Sequence, residues 1–256
     1  MMKLRQSGFS LLELLVAIAV SMVAVVAATE MYGTTQQTRR IQSMQAPLTN
    51  EGRFAISMIQ RIVSQAGFRQ NPTTAVPSDR FSVASNVMTV KFTSDGSNQI
   101  ACDGSVPAAD AAQSLVIQKS ETKLQCATNG GTAVEWIAPA TSGTGNSGEV
   151  VDFGVTFGID TGPASTPEDF GCGTANAGVK PRDCIVDSYV SALTGGVNAD
   201  QIVAARICLL LRSEAIDASV LKPGSVKDCS GNDVANSQND HKLYRTFRTT
   251  VLLKNR

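Results

Sequence analysis

The sequence predicts an α+β fold, in which one long N-terminal helix packs on an antiparallel β-sheet head with disulfide-stapled loops. Three observations carry that expectation. A 20-residue apolar run near the N-terminus passes into a polar segment with helical spacing, the remainder alternates with a period of two, and all six cysteines lie in that remainder.

The apolar run, FSLLELLVAIAVSMVAVVAA at residues 9–28, holds a single charged side chain, Glu13. Twenty helical residues span roughly 30 Å, the thickness of a bilayer's hydrocarbon core. Lys3 and Arg5 precede the run, and acidic Glu30 is the first charge after it. That asymmetry predicts a cytoplasmic N-terminus with the remainder translocated, and Arg39 and Arg40 lie far enough out to weaken it only slightly. A carboxylate inside such a segment costs roughly 2.5–3.5 kcal/mol on insertion scales, so it marks a functional partner. The bland alternative is a glutamate close enough to the membrane edge to snorkel.

Beyond Ala28 the chain turns polar but keeps a helical repeat. Ile41, Met44, Leu48, Ala55, Ile59, Ile62 and Ala66 follow three- and four-residue steps, the stripe of one helix face, with a gap at Gly52. A continuous helix over 9–66 would be about 87 Å long, and its second half needs a head to cover the stripe. Gly33 and Pro47 are weak points, and Pro47, which lacks a donor N–H, is expected to kink or locally melt the helix. Gly67 and Pro72 supply the stop signals. The stripe is not a sustained heptad, which excludes a coiled coil.

The head reads as antiparallel β. In EVVDFGVTFGID (149–160), Val151, Phe153, Val155, Phe157 and Ile159 alternate against Asp152, Gly154, Thr156 and Gly158. Residues 201–212 repeat the pattern, with Val203, Ala205, Ile207, Leu209 and Leu211 inward and Arg206 and Arg212 outward. Residues 243–254 do so through Leu243, Phe247, Val251 and Leu253, and 87–92 through Met88, Val90 and Phe92. Residues 115–118 and 123–126 flank 119–122 as a hairpin, and 134–137 form a further strand. Between them lie long segments rich in Gly, Ser, Thr, Asn and Pro at 94–114, 139–148, 161–184 and 213–240. Loops of that length are uncommon unless stapled or functional.

Cys102, Cys126, Cys172, Cys184, Cys208 and Cys229 are an even set on the translocated side, which fits disulfides in an oxidising compartment. No close CxxC pair is present, so zinc is not expected. Six cysteines permit 15 connectivities. The preferred one joins neighbours, 102–126, 172–184 and 208–229, because each pair would close a loop bounded by predicted strands.

Composition narrows the function classes. The 22 acids balance 22 bases, leaving no general electrostatic reason to bind nucleic acid. One histidine, His241, offers little acid–base chemistry near neutral pH. Neither a catalytic role for Asp240-His241 nor a phosphate-binding loop at 143–148 is supported by spacing. No enzyme, cofactor or metal is therefore expected. Oxygen-rich loops containing Asp228, Asn232, Asp233 and Asp240, or Asp160, Glu168 and Asp169, could suit calcium, but neither has the order of an EF-hand.

The leader MMKLRQSG is short, basic and polar, unlike a secretory signal, whose apolar stretch precedes its cleavage site. The junction GFSLLELLVAI resembles the type IV prepilin signal. That resemblance implies a prepilin peptidase that cuts after Gly8 and methylates Phe9. It also implies that Glu13 pairs with the N-terminal amine of a neighbouring subunit during assembly. The ordered series FGID (157–160), Asp187-Ser188-Tyr189, VAARICLLLRS (203–213) and YRTFRTTVLLKNR (244–256) resembles the PilW family of type IV pilus minor pilins. Membership implies a pilin fold with four parts: a leader at 1–8, a transmembrane half-helix at 9–28, a periplasmic amphipathic half at 29–66 and a globular head at 67–256. It further implies a low-copy subunit of the pilus tip or priming complex, in contact with other minor pilins, the major pilin and a PilY-type tip adhesin. Such a subunit would reside in inner-membrane lipid before assembly, then on the pilus, and would serve pilus assembly, twitching motility and adhesion. The alternative is a J-type minor pseudopilin of type II secretion, related in size and plan.

Overall fold

A computed structural model of the chain describes residues 10–71, 79–84, 86–140, 147–161, 184–193 and 201–255. The chain forms two compact units, Met1–Ser43 and Met44–Arg256. Helix α1, Leu11–Ser64, is assigned without interruption through both Gly33 and Pro47. In the first unit its described residues are exposed, apart from the half-buried Gln36 and Ile41.

The expected melting at Pro47 does not occur. A proline inside a helix costs about 3 kcal/mol through its missing donor and its clash with the preceding turn. Met44 and Leu48, on either side of it, are buried to 5% and 1% exposure. Each fully buried side chain of this size contributes about 1.5–3 kcal/mol, so tertiary packing outweighs the local defect.

Within the second unit the helix buries Met44, Leu48, Gly52, Ala55, Ile59, Ile62 and Val63. Gly52, the gap in the apolar stripe, is where Phe247 of the head lies. A methyl group at position 52 would stand 2.2 Å from the Phe247 ring. The missing side chain is thus a socket for an aromatic ring. The helix ends in a tightened turn, with Gln65 N–H and Ala66 N–H donating to Ile62 and Val63 carbonyls. Gly67 then adopts φ +72°, the left-handed geometry that glycine tolerates, and donates to Lys91 O at 2.9 Å.

Among the described residues, nine strands follow in two antiparallel sheets. The first has the order β1 (Phe81–Ala84), β2 (Val87–Thr93), β3 (Ala112–Ser120), β4 (Lys123–Thr128) and β5 (Val134–Ile137). The second runs β7 (Ser188–Val190), β6 (Gly148–Ile159), β8 (Ile202–Ser213) and β9 (Tyr244–Leu252). One apolar cluster joins the helix to both sheets, including Leu48, Ile59, Met88, Ile117, Phe153 and Leu209. The β3–β4 hairpin is tighter than the four-residue turn expected. Ser120 pairs with Lys123, leaving Glu121 and Thr122 as the turn, with Glu121 at φ +52°. Strands β1 and β7 are too short for their alternation to be visible in sequence.

One inward assignment is corrected. Val150 is buried at 1% exposure and Val151 is only half-buried, because a β-bulge sits between Val150 and Asp152. The extra residue moves the alternation by one place, so that Val150 and Phe153 both face the core. On β8, both faces are covered. Ile207, Leu209 and Leu211 join the core, while Ala204, Cys208 and Leu210 are buried on the other side and Arg206 alone is exposed.

Cys102 is bonded to Cys126 and Cys208 to Cys229. Cys184 is also disulfide-bonded, while its expected partner, Cys172, lies outside the described residues. The 94–111 loop is further held by the Gln65 side chain, which donates to Ile100 O and accepts from Ile100 N–H. Trp136 Nε1 donates to Cys102 O at 2.9 Å.

Two predictions follow from the helix–head contact. Gly52→Val places branched carbons inside the Phe247 ring and should destabilise the head by about 1–3 kcal/mol. In a Phe247→Ala background the same change should cost clearly less, as read by thermal unfolding. Full additivity of the two changes would exclude the socket. Glu51 supplies the second test. Gly148 N–H donates to Glu51 Oε2 at 2.7 Å, yet burial holds this carboxyl above its ordinary range, opposed by the Gly148 bond and reinforced by Glu214. A carboxyl raised in the folded state favours folding when protonated, so its contribution falls as pH rises from the unfolded to the folded value. Glu51→Gln keeps the acceptor and removes the charge. The variant should match the wild type in melting temperature near pH 4 and melt higher at pH 7.

Candidate functional site

The N-terminal end of α1 is built over residues 10–14. Ser10 O accepts from Leu14 N–H at 3.1 Å, the first helical bond, and Ser10 Oγ accepts from Leu12 N–H at 3.3 Å. Glu13 Oε2 reaches back to accept from Ser10 N–H at 3.0 Å. The serine thus caps the helix and the glutamate three residues on satisfies the serine's own N–H, a capping box. A negative side chain in the first turn also complements the positive end of the helix dipole. Ser10 was not among the residues expected to matter. The S-x-x-E spacing ahead of an apolar run was the signal that could have found it.

Behind this cap lies a helix that is apolar on every side. Leu11, Leu12, Val23 and Val16 are exposed by 76%, 70%, 72% and 55%. By length and composition this helix is able to cross a membrane. Its hydroxyls do not break that pattern, since Ser21 Oγ donates to Ile18 O and Thr29 Oγ1 to Val26 O, both at 2.8 Å. Each hydroxyl is satisfied by its own helix and needs no water. Glu13 is the one acid in this stretch. Ser10 N–H occupies a single site on its carboxylate, which offers about four lone-pair positions, so a second donor can be accommodated. Gly8 and Phe9 lie outside the described residues.

In the head, the sequence-singled acids are held by neighbouring donors. Asp240 accepts from Lys222 Nζ, from Tyr244 OH at 2.6 Å and from Lys242 N–H at 3.1 Å. Burial opposes ionisation of Asp240, but these donors together hold its carboxyl below the ordinary range. Burial and the Asp240 bond push the Tyr244 hydroxyl up to about 12. Nearby, Glu149 takes ion pairs from both Arg212 and Lys242. His241 Nδ1 sits 3.2 Å from Val220 O and does not hydrogen-bond to Asp240. Asp228 accepts from Ser230 N–H and Asn232 N–H, both at 2.8 Å, and Asp233 pairs with Lys227. Asp160 is fully buried and accepts from Cys184 N–H at 2.8 Å. Glu168 and Asp169 lie outside the described residues. Among the described residues no three His, Cys, Asp or Glu side chains gather where they could hold a metal ion. These contacts tie loops together and assemble no catalytic constellation.

An uninterrupted apolar helix with a capped, acid-bearing start, followed by an antiparallel disulfide-bonded head, defines a pilin-class subunit. The prokaryotic N-terminal methylation motif matches residues 3–29, which include Gly8, Phe9, Ser10 and Glu13. The model of the type IV pilus-assembly protein W family matches residues 110–255. That is more than half of the chain, from β3 through β9, and the chain belongs to this family. A solved type IV-like pilin from Thermus thermophilus is similar at 12% identity, covering 81% of this chain and 97% of that one, with a TM-score of 0.45. No curated protein matches the chain by sequence.

Proposed function

We propose that this protein is a minor pilin of the type IV pilus that enters the tip or priming complex and supports pilus assembly, twitching motility and adhesion. The observation carrying this reading is the carboxylate of Glu13 at the capped start of an exposed, wholly apolar helix. In lipid that helix is at home, with the leader 1–8 and the N-terminus cytoplasmic and the head periplasmic. Cleavage by the prepilin peptidase after Gly8 creates an amine at Phe9, and an amine of this kind on a neighbouring subunit is the second donor for Glu13. Transfer from membrane to filament then exchanges lipid contacts for helix–helix contacts while the charge gains a partner.

The parts proposed from sequence divide the work. Residues 9–28 enter the filament core, 29–66 link it to the head, and 67–256 present the surfaces that meet other minor pilins, the major pilin and a PilY-type adhesin. The match over 110–255 to a pilus-assembly family favours the pilus over a secretion pseudopilin.

Gly8→Leu should leave a precursor in membranes that retains residues 1–8 by mass spectrometry. A normally trimmed protein from that variant would refute peptidase processing at this junction. Glu13→Gln keeps an acceptor for Ser10 N–H but loses the charge, whereas Glu13→Ala loses both. Both variants should insert in the membrane, and both should be depleted from sheared filaments roughly tenfold or more. Breaking a charge pair out of water costs about 3–5 kcal/mol, enough for that depletion. Normal incorporation of Glu13→Gln would show that assembly does not require the charge.

A further inference from the structure

The outer face of the β6–β8–β9 sheet, turned away from the helix, carries a groove of about 1070 Å³. Its floor follows from strand register. Thr156 of β6, Arg206 of β8 and Thr250 of β9 stand side by side, and Arg248 lies opposite Cys208 in the neighbouring row. Arg206 and Arg248 are therefore diagonal neighbours on one face, roughly 7–8 Å apart at the backbone. Both are exposed, and neither has a carboxylate partner among the described residues.

The walls of the groove are fixed in place. On one side the Cys208–Cys229 disulfide clips the loop after β8 to the sheet, and Cys229 N–H donates to Asp152 Oδ2 at 2.8 Å. The clip sits against Gly154, where an added methyl group would come within 2.9 Å of Cys229 Cβ. On the other side Tyr189 of β7 presents its ring to Arg206, whose guanidinium carbon lies 3.5 Å from the ring centre. Stacking orients the guanidinium plane and leaves its N–H edges available for a forked bond to an oxyanion. Thr250 and Ser230, both exposed, add hydroxyls that can both donate and accept.

We propose that this groove is a binding site for a carboxylate-bearing saccharide, with Arg206 and Arg248 on the carboxylate and the hydroxyl side chains on the sugar hydroxyls. Two like charges placed side by side repel each other, and a shared anion converts that repulsion into binding. The floor is the face of paired strands whose backbone groups are spent on one another. A polypeptide could not be read there by main-chain pairing, so the recognition falls to guanidinium and hydroxyl groups, which suit a polyhydroxylated acid. The site is independent of the assembly role of Glu13.

Titration calorimetry on the full chain in neutral detergent tests this with oligogalacturonate as the probe. Binding should appear with the acid and vanish with its methyl ester. It should weaken roughly tenfold or more in Arg206→Gln and in Arg248→Gln, the scale of one lost charge-assisted bond. Arg206→Lys keeps the charge without the fork and should lose several-fold. Melting temperatures of all three variants should stay near that of the wild type, because both arginines are exposed. Four outcomes would overturn the proposal. These are no binding of the acid, equal binding of the ester, binding unchanged by both glutamine variants, or tighter binding of inorganic phosphate or of hexaglutamate, which would indicate a simple anion or an acidic peptide.

Discussion

A single helix here has to satisfy two solvents, and the rest of the structure answers to that constraint. From Leu11 to Val26 its side chains, Glu13 and the self-bonded Ser21 apart, are apolar on every face and lie exposed in the isolated chain. No head could cover such a surface with one sheet, because a sheet covers only one stripe of a helix. Lipid or other copies of the same helix must cover the remainder. From Met44 onward the same helix narrows to one apolar face, matched by the sheets of the head. The change from all-round to one-sided hydrophobicity is what converts an anchor into a core element without ending the helix. It also explains why Pro47 is tolerated where it stands, since packing of its neighbours outweighs the local loss.

The last strand of the head meets the helix through several of its side chains. Phe247 fills the Gly52 socket, Gln60 donates to Thr249 at 2.6 Å and Arg245 to Thr49 at 2.8 Å. Asn255 Nδ2 donates to the Ser64 and Ala66 carbonyls, which the ending helix leaves without intrahelical donors. The terminal pattern of β9, polar and apolar in uneven alternation, follows from this double duty. Its residues pair with β8 in register, with Arg245, Phe247 and Thr249 at the helix and Arg248 and Thr250 on the outer face. The salt-bridged cluster of Glu149, Arg212 and Lys242 ties the approach of β9 to β6 and β8.

Much of this was legible in the sequence because it rests on periodicity. The apolar stripe at Met44, Leu48, Ala55, Ile59 and Ile62, and the alternation at Met88, Val90 and Phe92, are local signals that burial merely realises. What was not legible depends on partners far away in the chain. The glycine at position 52 reads as a flaw until Phe247, nearly two hundred residues on, is brought to it. Val151 obeys the alternation of its own strand, yet the bulge that turns it outward is set by pairing with Leu210 and Leu211 of β8. The division of the head into two sheets was likewise invisible, since alternation tells a strand which face is inward but not which neighbour it takes. At the candidate site the glutamate was conspicuous because a charge in lipid is costly. Ser10 was not, because capping is a backbone matter and its energy is modest.

These long-range contacts are delivered late in synthesis. The helix is made first, and its apolar half can enter a bilayer as soon as it emerges, because every hydrogen bond it needs is internal. Its contact with β9 spans nearly the whole head, since Phe247 is laid against Gly52 across almost two hundred residues of chain. Contacts of such sequence separation carry a high loop-closure cost and form late. The Cys102–Cys126 and Cys208–Cys229 bonds lower that cost, because each shortens the loops that must be closed for the sheets to form. In a head with long loops and a last-arriving strand, the disulfides therefore sit where conformational entropy would otherwise weigh most against closure on the helix.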